Sequence, residues 1–141
     1  GEGGGKKPRI VLSTEIPSPG DDYIQGMVGP FIPRPPALVL CSGESSAGKT
    51  ILGYNIAAGL AAGSDIFNFG QIEPTTVIYV DLETPRGLRG HFLDKIGRHT
   101  NLGYILELED KLNTYNGYED FLAVCREFTP SVVIIDPLST E

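Results

Sequence analysis

The first 36 residues show no sustained hydrophobic period. Seven prolines (Pro8, Pro17, Pro19, Pro30, Pro33, Pro35 and Pro36) interrupt them among many glycines, the pattern of an irregular lead-in. Ile24, Met27, Val28, Phe31 and Ile32 make Tyr23–Ile32 apolar enough to pack on whatever follows. Regular structure is predicted from Ala37-Leu38-Val39-Leu40-Cys41, a continuous apolar run suited to a strand buried on both faces. Ile51–Ala62 has helical composition and ends at Gly63, a residue suited to the C′ position. Gly53 and Gly59 each cost that helix roughly 1 kcal/mol against alanine, tolerable where a helix packs closely on a sheet.

Thr75–Leu82 predicts a second strand. Thr84 reads as an N-cap with Pro85 at N1, followed by an apolar helix face of Leu88, Phe92, Leu93 and Ile96. Tyr104-Ile105-Leu106 suggests a short strand. Asn116 and Glu119 resemble a capping box ahead of the stripe Tyr118, Phe121, Leu122, Cys125 and Phe128. Pro130 stops this helix, and Ser131–Asp136 is the last strand. Strands alternating with helices predict an α/β fold, with a mostly parallel central sheet covered by helices on both faces.

Composition narrows this picture. The chain has 141 residues, 40 % hydrophobic and 21 % charged, which fits one soluble globular domain. No apolar run nears the roughly 18 residues of a membrane span, and no secretory signal is visible. The two cysteines, Cys41 and Cys125, sit in apolar surroundings without zinc-site spacing, so buried reduced thiols in a cytoplasmic protein are expected. Residues 37–141 hold 7 basic against 14 acidic groups, the whole of the net charge of −7. That stretch carries no basic stripe for gripping nucleic acid. Residues 1–22 read as a flexible Gly/Pro-rich leader.

The chemistry enters at Gly43-Glu44-Ser45-Ser46-Ala47-Gly48-Lys49-Thr50, which satisfies G-x-x-x-x-G-K-[ST] between a buried strand and a helix. Such a loop turns backbone N–H groups inward around a phosphate, and the helix aims its positive end at the same anion. Lys49 is expected to reach the β and γ phosphates of ATP and the Thr50 hydroxyl to ligate Mg²⁺. Glu44, Ser45, Ser46 and Ala47 are expected to contribute backbone donors.

Val132-Val133-Ile134-Ile135-Asp136 ends in a carboxylate at the strand end that opens onto the ligand crevice, so Asp136 is expected to hold Mg²⁺. Neither D-x-x-G nor a glutamate follows it. A water-activating carboxylate must then come from elsewhere, and Asp81 and Glu83, on one face of the second strand, are the candidates. Glu83 is preferred, being later on the strand. The opposing reading makes it a polar strand-end group near Arg86 or Arg89. For Arg86, Arg89 and Arg98 a solvated helix face is expected.

In order, GESSAGKT, VIYVDLETPRGLRGHF and VVIIDPLS resemble the RecA-like branch of P-loop ATPases, and within it the RepA-type hexameric helicases. The resemblance spans residues 23–141 and implies a three-layer P-loop domain. By position it makes Gly43–Thr50 the phosphate loop, Lys49 and Glu83 catalytic, and Thr50 and Asp136 the Mg²⁺ residues. It implies a hexameric homo-oligomer, single-stranded DNA as a partner, and no membrane. It further implies that residues 23–141 are the N-terminal portion of a domain continuing into further strands, DNA-facing loops and an arginine finger. One absent strand would lie between those of Asp136 and the phosphate loop. A KaiC-like regulatory ATPase, or a nucleotide-binding module without motor activity, is the alternative.

Overall fold

The computed structural model describes residues 8–18, 26–28, 32–40 and 47–136. After a 3₁₀ turn at Ser13–Glu15, the chain runs β1 (Ala37–Leu40), α1 (Ala47–Ala62), β2 (Val77–Asp81), α2 (Arg86–Ile96), β3 (Leu102–Ile105), α3 (Tyr115–Phe128) and β4 (Val132–Asp136). The four strands form one sheet in the order β1-β4-β2-β3, and every pairing is parallel. The α/β fold with a parallel sheet is thus as predicted.

The neighbour of β1 is β4. The resemblance implies a strand, absent from residues 23–141, between those of the phosphate loop and Asp136; among the described residues β1 pairs directly with β4, Ala37 opposite Val132 through Leu40 opposite Ile135. Both strands are apolar runs, and direct pairing satisfies the backbone groups each would otherwise bury unmet. β4 fills the gap.

The sheet's two faces are served by different helices. Tyr54 of α1 packs edge-on against Tyr79 of β2 and Phe92 of α2, so α1 and α2 share one face. The core lies there, including Tyr54, Leu60, Val77, Tyr79, Val132 and Ile134. The opposite strand parity carries Gly103, against whose Cα the Phe128 ring of α3 closes. A parallel crossover is right-handed, so reversing from β3 back to β4 puts α3 on the other face. Val28 and Ile32, linked by an antiparallel bridge, are buried against the core as the lead-in pattern suggested. Tyr23, Ile24 and Phe31 lie outside the described residues.

Boundaries differ where the chain contacts itself. α1 begins at Ala47, inside the phosphate-loop motif, and ends before Gly63, whose φ of 74° makes it the predicted left-handed terminator. A methyl on Gly53 would collide with the Tyr79 hydroxyl, and one on Gly59 with Ile66, the close packing that explains two glycines in one helix. α2 is capped at Pro85 without a side-chain bond; the predicted cap, Thr84, is buried and gives its N–H to Asp81. α3 starts from Thr114, whose hydroxyl accepts from Gly117 N at 3.1 Å, so Asn116 lies in the first turn.

Candidate functional site

β1, β4 and β2 run in parallel and deliver their C-terminal ends to one edge of the sheet, where α1 begins. That edge collects the charged residues singled out in the sequence. Lys49, in the first turn of α1, has its Nζ 3.1 Å from Asp136 Oδ1 and 3.8 Å from Glu83 Oε2. Asp136 is almost wholly buried at 2 %, whereas the Glu83 side chain is 43 % exposed. A buried carboxylate needs a cation and hydrogen bonds, and Lys49 supplies the cation. Tyr79 supplies the bond, its hydroxyl donating to Asp136 Oδ2 at 2.9 Å.

Asp81 is the register partner of Asp136 across β2 and β4, but its contacts differ. Its Oδ1 accepts the backbone N–H groups of Glu83 (3.3 Å) and Thr84 (3.1 Å), an Asx-type turn that ends β2. Its Oδ2 accepts from the Tyr54 hydroxyl and lies 3.8 Å from Arg89 Nε. Every acceptor of Asp81 is therefore engaged in structure. Glu83, two residues beyond the end of β2, is presented by that turn toward Lys49 instead of pairing with Arg86 or Arg89.

The three arginines divide. Arg89 is not on a solvated face: its guanidinium donates to the Asp81 carbonyl at 3.1 Å and lies beside the Asp81 carboxylate, tying α2 to the end of β2. Arg86 and Arg98 are exposed and pair with Glu107 (3.6 Å) and Asp94 (2.8 Å). Exposed pairs of this kind contribute little to stability.

Three tyrosines lie beneath the two carboxylates. The rings of Tyr54, Tyr79 and Tyr104 stand 5.1–5.4 Å apart by centroid. The phenols of Tyr54 and Tyr104 are pushed well above the ordinary value, first by burial and then by the neighbouring Asp81. The motifs alone do not mark Tyr54, Tyr79 and Arg89 as neighbours of these carboxylates. One signal was present: a helix-interior glycine, Gly53, opposite a strand that places Tyr79 two residues before Asp81.

Thr50 follows Lys49 in the first turn of α1. Gly43, Glu44, Ser45 and Ser46 lie outside the described residues, as do Cys41, the side chain of Ala47 and Pro137-Leu138-Ser139. Among the described residues no group of three or more His, Cys, Asp or Glu side chains gathers for a metal. A hydroxyl and a single carboxylate, both hard oxygen donors, suit Mg²⁺ that arrives with phosphate oxygens and water instead of a dedicated protein cage. Cys125 is a free, half-buried thiol whose pKa burial raises. A cavity of about 770 Å³ runs along α1 from Gly48 to Ala62 against Ile66, Phe67, Arg98 and His99, and none of the site carboxylates lines it. No described helix is long and apolar enough to cross a membrane.

The family model described as an AAA domain matches residues 12–140. No curated protein and no solved structure matches the chain.

Proposed function

This chain belongs to the AAA domain family of P-loop ATPases, and on that premise we propose that it binds ATP and hydrolyses it with Mg²⁺. The observation that supports this best is Lys49 at the start of α1, 3.1 Å from Asp136 and 3.8 Å from Glu83. A lysine beside a helix N-terminus is the group a γ-phosphate recruits, and it brings the two carboxylates with it. Lys49 and the amides of Gly43–Thr50 would hold the β and γ phosphates. Thr50 and Asp136 would hold Mg²⁺, which when bound neutralises phosphate charge. Glu83, partly exposed and turned toward Lys49, would orient the attacking water and accept its proton. Asp81, the other candidate base, has its oxygens taken by the turn, Tyr54 and Arg89.

The test is ATP turnover by the purified protein with and without Mg²⁺, beside Lys49→Ala. Mg²⁺-dependent turnover that Lys49→Ala abolishes supports the reading; turnover unchanged in the variant removes Lys49 from it.

At finer grain we read the chain as part of a RepA-type helicase motor, hexameric and acting on single-stranded DNA. The order of GESSAGKT, VIYVDLETP and VVIIDPLS supports this. The excess of 14 acidic over 7 basic groups in residues 37–141 favours the other reading, a KaiC-like regulatory ATPase. Single-stranded DNA separates them: stimulated turnover supports the motor, and turnover indifferent to DNA supports the regulator.

A further inference from the structure

We propose that Tyr79 is a positioning residue that fixes the carboxylate of Asp136, and that Gly53 is the notch in α1 that lets it do so. This deepens the ATPase reading and rests on it, because Asp136 matters to the reaction only as the proposed Mg²⁺ residue.

Tyr79 is the central residue of β2 and is wholly buried. Its hydroxyl donates to Asp136 Oδ2 at 2.9 Å. That bond commits one carboxylate oxygen and leaves the other, Oδ1, directed at Lys49 Nζ, 3.1 Å away. The terminal torsion of an aspartate is broad and roughly two-fold, so without such a bond the two oxygens could trade places or settle between. The donor is itself held still. The ring of Tyr79 packs against both Tyr54, at 5.1 Å with 70° between the planes, and Tyr104, at 5.4 Å, and those two rings are in contact with each other.

Gly53 supplies the independent observation. Its Cα faces the Tyr79 hydroxyl so closely that any Cβ would collide with it. Glycine inside a helix costs about 1 kcal/mol against alanine, so this position gives up helix stability where the hydroxyl must pass to reach Asp136. The ring carbons Cζ and Cε2 of Tyr79 also come within 3.0 and 3.1 Å of that Cβ position, so the ring shares the notch with its hydroxyl, which makes the closest approach. A phenylalanine at 79 keeps nearly all of the buried surface and removes only the closest of these contacts, that of the hydroxyl. The same helix carries Lys49 and Thr50 one turn earlier. The notch therefore joins the element that holds the phosphate to the carboxylate proposed for the metal.

The test separates positioning from packing by asking for the part of nucleotide affinity that depends on Mg²⁺. Binding of a fluorescent ATP analogue is measured in Mg²⁺ and in excess EDTA for the wild type, Tyr79→Phe, Gly53→Ala and the double variant, with thermal melts alongside. In Tyr79→Phe the gain in affinity on adding Mg²⁺ should fall about 10-fold, the usual effect of losing a partner behind a metal ligand, while affinity in EDTA stays at the wild-type value. Gly53→Ala, which crowds the hydroxyl, should shift the same quantity in the same direction. The double variant should be little worse than the worse single, since both act through one bond. A folded Tyr79→Phe protein that keeps the full Mg²⁺-dependent gain overturns the proposal, as does an equal loss in Mg²⁺ and EDTA. A wild-type protein that binds no nucleotide in either condition overturns the ATPase reading instead. Should Gly53→Ala not fold, Tyr79→Phe, which only removes an oxygen, decides alone.

Discussion

Asp81 and Asp136 lie side by side on β2 and β4 as register partners, both buried, and each has its own cation and its own tyrosine. Lys49 and Tyr79 serve Asp136; Arg89 and Tyr54 serve Asp81. Like charges directly opposite on neighbouring strands are ordinarily destabilising. Separate neutralisation makes the pair tolerable and gives the two carboxylates different work. The cation of Asp136 sits on the phosphate-loop helix and can be drawn toward a phosphate. That of Asp81 straps α2 to the sheet.

Asp81→Ala should therefore destabilise the protein by about 3 kcal/mol, since it strands the Arg89 guanidinium at a site that excludes most water. The same change unties the turn that presents Glu83. Chemical denaturation reads the first effect. The double variant Asp81→Ala/Arg89→Met should recover part of the loss, and a single variant as stable as wild type would refute the strap.

Glu83→Gln should behave in the opposite way. Its side chain is 43 % exposed and no described element depends on it, so the melting temperature should hardly move. ATP turnover should fall about 10²–10⁴-fold, the range for losing a general base, with nucleotide binding retained. Steady-state kinetics and a binding titration on the same preparation check both halves.

Alkaline pH should weaken the fold through two tyrosines. The phenols of Tyr54 and Tyr104 lie above their ordinary value of 10.0 in the folded chain. Above that pH the unfolded chain releases these protons while the folded chain keeps them. The stabilisation is thus complete below pH 10 and is lost as pH rises toward the folded values. An absorbance titration of phenolate should show two tyrosines ionising only together with unfolding. Tyr54→Phe should remove one of them.

Thr114→Ala should cost about 1 kcal/mol, the usual price of an N-cap, while Asn116→Ala should be nearly neutral. Thermal melts of the two variants decide which residue caps α3.

The strands and helices were legible because each is an apolar run or stripe bounded by glycine, proline or a charge. That Lys49, Glu83 and Asp136 would meet at one edge of the sheet was legible because their motifs sit at strand and helix ends. What escaped the sequence depends on contacts between distant segments. Thr84 looks like a cap, but Asp81 claims its N–H first. Asn116 looks like one too, but the loop at Lys111 crosses so close to Gly117 that the helix must open from Thr114. Arg89 looks like a surface residue until the end of β2 turns back beneath it. The pairing of β1 with β4 could not be read at all, since any of these apolar strands can lie next to any other.

That pairing has one more consequence. Four successive residue pairs between β1 and β4, and five between β4 and β2, index Asp136 against both its neighbours. A strand alternates its side chains, so one residue inserted into or deleted from β4 would turn Ile135 or Pro137 toward Lys49 and send the carboxylate to the opposite side of the sheet. The backbone ladder acts as a ruler with a pitch of about 3.3 Å. Side chains along these strands can change within their apolar class, whereas their lengths cannot change by a single residue.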